Sequence, residues 1–90
     1  MHPSQLRIGQ WVRWTMGKRT DHVGRVIWVE GEPMPAEVDA ASGNQVHFLR
    51  PNGRPSHPVI VRVTRSHAKT GRELKPAYYA PNPVRLVVVG

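Results

Sequence analysis

The chain contains no cysteine. That excludes disulfide staples, thiolate zinc sites and thiol nucleophiles together. It has no apolar run approaching the roughly 20 residues that cross a bilayer. Its first residues, Met1-His2-Pro3-Ser4-Gln5-Leu6-Arg7, lack the apolar stretch of a secretory signal, so a cytoplasmic protein is expected. Acidic residues are few: 6 Asp and Glu face 13 Lys and Arg, a net charge of +7. The 90 residues fall within the roughly 50–200 residues of one domain, which leaves no room for a cofactor-binding domain beside a substrate domain. One domain over residues 1–90 is expected, with 1–5 as a candidate disordered end.

Catalytic signatures are missing as well. There is no G-x-S-x-G, no Gly-rich phosphate loop followed by Lys-Ser/Thr, and no dinucleotide fingerprint. The acids Glu30, Glu32, Glu37 and Asp39 lie in a Pro-rich stretch with no base or nucleophile beside them. The five histidines, at 2, 22, 47, 57 and 67, form no metal-ligand spacing. They read as exposed polar residues or donors near phosphate. No catalytic residue, metal or cofactor is expected.

What is present is turn chemistry between short apolar runs. The 9 Pro and 8 Gly stay below the roughly 25–30% typical of low complexity, and they punctuate the chain where strands would end. Gln10–Thr15 alternates, with Val12 and Trp14 on one face and Trp11 and Arg13 on the other. His22–Glu30 reads as a second strand, with Val23, Ile27 and Val29 facing the core and Trp28 facing out. Gly24 within it signals a bulge or a close backbone approach. Ala36–Ala40 reads as a short strand and Gln45–Arg50 as a clear one. Asn52-Gly53 marks a turn. His57–His67 is the cleanest strand. Ala68–Pro76 reads as a basic loop, Ala77–Pro83 as an irregular or 3₁₀ crossing, and Val84–Val89 as a last strand. No window carries a helical period. The expected class is all-β: about five short strands closed as a small barrel, which removes exposed edges.

The charge is sorted along the chain. Residues 1–29 carry Arg7, Arg13, Lys18, Arg19 and Arg25 against Asp21, a net +4. Residues 30–49 carry four acids and no Lys or Arg, a net −4. Residues 50–90 carry eight basic residues against Glu73, a net +7. Ten of the 13 basic residues are Arg, whose planar fork suits phosphate and stacks on bases.

Two segments resemble a known family. Ile8-Gly9-Gln10-Trp11-Val12-Arg13 followed by His22-Val23-Gly24-Arg25-Val26-Ile27 is similar to the opening hairpin of SH3-like barrels of the KOW type, with Gly24 at the central glycine and Val23 and Val26 at the apolar flanks. Pro81-Asn82-Pro83-Val84-Arg85-Leu86-Val87 resembles the 3₁₀ turn and last strand that close such barrels. The resemblance implies an SH3-like fold with the Pro/Gly-rich acidic segment as an insertion or an extra strand, and a function of the kinds those barrels host: binding of RNA, DNA, methyl-lysine or peptide, or service as an enzyme subunit.

Two functions follow as expectations. The first is a non-enzymatic nucleic-acid-binding module of weak sequence specificity, RNA or DNA. Arg13, Lys18, Arg19, Arg25, Arg62, Arg65, Lys69, Arg72 and Lys75 would contact phosphate, and Trp11 and Trp28 would stack on bases. The second is a protein-interaction adaptor or homo-oligomer, with the acidic segment 30–39 and the exposed Trp as its interface.

Overall fold

A computed structural model describes residues 5–15, 21–66 and 69–89. Lys18, Arg19, His2 and His67 lie outside the described residues. The protein is all-β. Its strands are β1 (Trp11–Thr15), β2 (Asp21–Val29), β3 (Val59–Ser66), β4 (Glu73–Tyr79) and β5 (Val87–Val88). They form one antiparallel sheet in the order β4-β3-β2-β1-β5. That arrangement is compatible with an SH3-like barrel, but the sheet is not closed.

The pairing register fixes two faces. Val12 opposes Gly24, and Val26 opposes Val61. These residues point inward with Leu6, Trp14, Val59 and Leu86 to form the main core. Gly24 is required by proximity: a Cβ there would stand 2.6 Å from Val61 Cγ1 and 2.7 Å from the Arg62 carbonyl oxygen. Pro83–Arg85 makes the expected 3₁₀ turn before β5. The Asn82 side chain caps it by accepting from the Val84 N–H at 3.2 Å.

The outer face carries a second apolar cluster over half its width. A bulge between Val26 and Trp28 breaks the alternation of β2. Trp28 then opposes Ile60, on the face away from Val26 and Val61. Trp28, Ile60 and Tyr78 meet Val38 there, joined by Ile27, Met34, Ala41 and Phe48. The acidic segment is therefore a cover laid on the sheet. Val59, Ile60 and Val61 are consequently all buried, because this part of β3 has protein on both faces.

Three expected elements differ. Ala36–Asp39 is one helical turn, α1, not a strand. Residues 45–50 are not a strand: only Val46 makes a bridge, parallel to Tyr78. Residues 73–79, read as loop and irregular crossing, are β4, bearing Pro76. Pro is tolerated in such an edge strand because it lacks only a donor. The outward edge of β4 is shut by the 45–47 stretch: the His47 N–H donates to the Tyr78 carbonyl at 2.9 Å, and the Tyr78 N–H to the Gln45 carbonyl at 2.7 Å. No helix among the described residues is long and apolar enough to cross a membrane.

Candidate nucleic-acid interface and an aromatic pocket

The half of the outer face that the cover leaves bare is built by β5, β1 and β2. Directly opposed residues project to the same face. One row across the sheet runs Trp11, Arg25, Arg62, and the next runs Val87, Arg13, Val23. Trp11 is 43% exposed, as its alternation with Val12 and Trp14 predicted. The Arg25 guanidinium lies 6.0 Å from the Trp11 ring centroid, within cation–π range. Its Nε also donates to the Gly9 carbonyl at 3.3 Å, so the guanidinium is held beside the indole. Val23 and Val87 are exposed between the cations, with Val89 beyond them.

Trp28 requires a correction. It does lie on the outer face, yet it is only 7% exposed, because the cover closes over it. Its Nε1–H donates to the Glu32 carbonyl at 2.8 Å. The inward assignment of Val23 and Ile27 fails with it. Gly24 and Val26 take the core side, and the bulge resets the parity before Trp28.

The remaining basic candidates are distributed as follows. Arg62 forms a fork on Glu37, with Nη1 at 2.9 and 3.1 Å from the two carboxylate oxygens. Arg65 turns back onto the Lys75 carbonyl, at 3.2 Å from Nε and 2.9 Å from Nη2. Lys69 and Arg72 belong to the β3–β4 connection, and Lys75 to β4; all three are exposed. Because β2 and β3 are antiparallel, Ser66 and Asp21 mark the same end of the sheet. The β3–β4 connection and the chain leaving Thr15 therefore depart from one end. The structure thus brings Trp11, Arg13 and Arg25 together on the bare half-face, and places Arg65, Lys69 and Arg72 at one end of the sheet. Asp39 approaches Arg50 at 3.7 Å, so two acids of the cover face cations of this same chain.

Tyr78 sits beneath the cover beside the Arg62–Glu37 pair. Burial raises its phenol above the ordinary 10.0, Glu37 raises it further, and Arg62 pulls it down. A pKa raised by folding means that the folded state holds the proton more tightly than the unfolded chain. The associated stability is complete below pH 10.0 and is lost as pH climbs through the folded value. Urea midpoints should therefore fall as pH rises from 10.0 through the folded value, and Tyr78→Phe should flatten the fall. An equally steep decline in the variant would refute this account.

A feature missed in the sequence lies on the inner side, at the sheet end that holds Thr15. A cavity of about 320 Å³ opens there, lined by Trp14, His47, His57, Tyr79, Asn82 and Arg85 among others. His47 stacks on Tyr79 at 4.8 Å with 12° between planes. Trp14 meets the Tyr79 ring edge-on at 5.7 Å, and His22 closes the group at 5.3 Å from Tyr79. The His57 Nδ1 lies 2.7 Å from the Ala80 carbonyl oxygen. A carbonyl only accepts, so Nδ1 carries the proton and Nε2 is an acceptor in the neutral ring. Among the described residues, no group of three His, Cys, Asp or Glu could hold a metal ion.

Comparison of the chain with protein-family models, curated proteins and solved structures finds no significant match.

Proposed function

We propose that this protein is a non-enzymatic nucleic-acid-binding module. It meets the phosphate backbone through arginine and stacks a base on Trp11. The observation that carries the reading is the bare half-face: an exposed indole with Arg25 beside it and Arg13 in the next row, with no carboxylate in the β5–β1–β2 part of either row. The excess of positive charge supports it, since phosphate neutralisation supplies most non-specific affinity. The KOW-like resemblance of the opening hairpin, Ile8–Arg13 with His22–Ile27, supports it too, as does a five-stranded antiparallel sheet compatible with an SH3-like barrel. Among the described residues no helix is placed to read a major groove, so specificity is weak.

Titration of labelled single-stranded RNA and DNA at two salt concentrations tests the proposal. Affinity should fall steeply with salt. Trp11→Ala should weaken binding about 5- to 150-fold, the equivalent of one stacked base at about 1–3 kcal/mol. No binding at about 50 mM salt overturns the proposal.

A second reading rests on the exposed Val23, Val87 and Val89 along the same half-face. Such an apolar strip with a central Trp also suits a protein partner. The interface would then be this half-face and not the acidic segment, whose apolar side chains and two of whose carboxylates are engaged within the chain. Light scattering coupled to size exclusion separates the two: a dimer that hides Trp11 favours the second reading, and a monomer that binds oligonucleotide favours the first.

A further inference from the structure

We infer that the inner-face pocket is a second binding site, specific for one nucleotide unit: a planar aromatic base carrying a phosphate. This inference stands apart from the half-face reading, because Trp14 and Tyr79 lie on the opposite side of the sheet from Trp11.

Size sets the first limit. About 320 Å³ lies at the lower end of the roughly 300–1,000 Å³ of ligand sites, which suits one small ligand and not a run of bases. Ring chemistry sets the second. The walls are aromatic, and the nearly parallel His47–Tyr79 pair is a stack with His47 on its exposed side. A further planar ring extends such a stack at little cost, because aromatic groups favour offset face contact. Charge sets the third. Among the described residues, Arg85 is the one Lys or Arg lining the cavity, and no Asp or Glu lines it. Among the described residues Arg85 makes no ion pair and no side-chain hydrogen bond. A guanidinium with no partner among the described residues, at the rim of an aromatic cavity whose described lining carries no acid, matches phosphate in geometry and sign.

The polar groups are also fixed in role. Asn82 has its Oδ1 engaged by the Val84 N–H, so its side-chain amide donor remains for a ligand. His57 offers Nε2 as an acceptor whenever its ring is neutral, because Ala80 holds its other nitrogen. One donor and one acceptor beside aromatic walls are what the edge of a base requires; an aliphatic anion would leave the walls unused, and a cation would meet Arg85.

The same chemistry is found in a free nucleoside monophosphate and in the phosphorylated end of a strand. Titration of the whole chain with the four nucleoside monophosphates, with 5′- and 3′-phosphorylated dinucleotides, and with the matching nucleosides and inorganic phosphate separates these sources, read by the ring signals of His47, His57 and Trp14 in NMR. Saturable shifts are expected with monophosphates, with nucleoside and phosphate each at least tenfold weaker. Arg85→Ala, at an exposed and unpartnered position, should abolish that preference over the nucleoside without altering the fold. His47→Ala should weaken monophosphate and nucleoside alike. A tenfold advantage for a phosphorylated dinucleotide assigns the site to strand ends; equal affinity assigns it to the free nucleotide. Absence of shifts at millimolar monophosphate, binding of phosphate alone as tightly as the nucleotide, or unchanged affinity in Arg85→Ala overturns the inference. Trp11→Ala, which tests the half-face, should leave these titrations unchanged, so the two sites fail or stand separately.

Discussion

Gly24→Ala is expected to cost at least about 3 kcal/mol, at or beyond the upper end of ordinary overpacking. The added Cβ would fall 2.6 Å from Val61 Cγ1, 2.7 Å from the Arg62 carbonyl and 3.0 Å from Val63 Cγ2. A flexible side-chain tip could retreat, but the Arg62 carbonyl is backbone of β3, which pairs with both β2 and β4. The clash is therefore relieved only by parting the central strands. Small domains hold about 5–15 kcal/mol in all, so the variant should lose a large share of its urea midpoint at little change in slope. Gly43→Ala is the control: nothing lies within 4 Å of a Cβ there, and its effect should stay within about 0.5 kcal/mol. Equal midpoints for the two variants would refute the close-approach account of Gly24.

The second large effect concerns the cover. Trp28→Ala should cost about 3–5 kcal/mol, as expected for a buried aromatic removed from a packed cluster. The loss should be local before it is global. α1 is a single turn whose N-cap makes no side-chain hydrogen bond, and so short a helix has no independent stability. Its order derives from Val38 inserting among Trp28, Ile60 and Tyr78. Without the indole, and without its bond to Glu32 at 2.8 Å, residues 31–48 should lift from the sheet. Hydrogen exchange reads this at the Val38 and Ala40 amides, which are bonded to Pro35 and Ala36. They should lose protection while Val61 keeps its own. Trp28→Phe retains most of the buried ring and should fall between. Undiminished protection at Val38 in Trp28→Ala would show that the cover does not depend on this side chain.

Where side chains alternate and the partner strand is near in sequence, the fold was legible. The Val12/Trp14 alternation placed β1 and exposed Trp11; the Val-rich run after Pro58 placed β3; Asn82-Pro83 marked the turn before β5. The unread parts depend on contacts distant in sequence. One bulged residue in β2 puts Val26 and Trp28 on opposite faces, which nothing in Val26-Ile27-Trp28 signals, and only the distant cover buries Trp28 and draws in Ile27. Residues 45–50 look like a strand because they are apolar in part, but Phe48 turns into the outer cluster while Leu49 is 77% exposed, so no ladder forms. Pro76 and the polar start of β4 concealed an edge strand. The pocket was concealed most completely: His47, His57 and Tyr79 converge through the pairing of the 45–47 stretch with Tyr78 and the His57–Ala80 bond. None of these has a spacing signature.

The strip at residues 45–47 has a further consequence for association. It closes one flank of the sheet, while among the described residues no strand pairs with the outward edge of β5, two residues long. Fibrils built by strand addition require two receptive flanks on every subunit, one to accept the previous copy and one to offer to the next. A subunit with one such flank can join a single neighbour, and growth then terminates. Any docking through the sheet margin would thus end at a pair of molecules, and a chain stripped of its 45–47 strip would lose that limit.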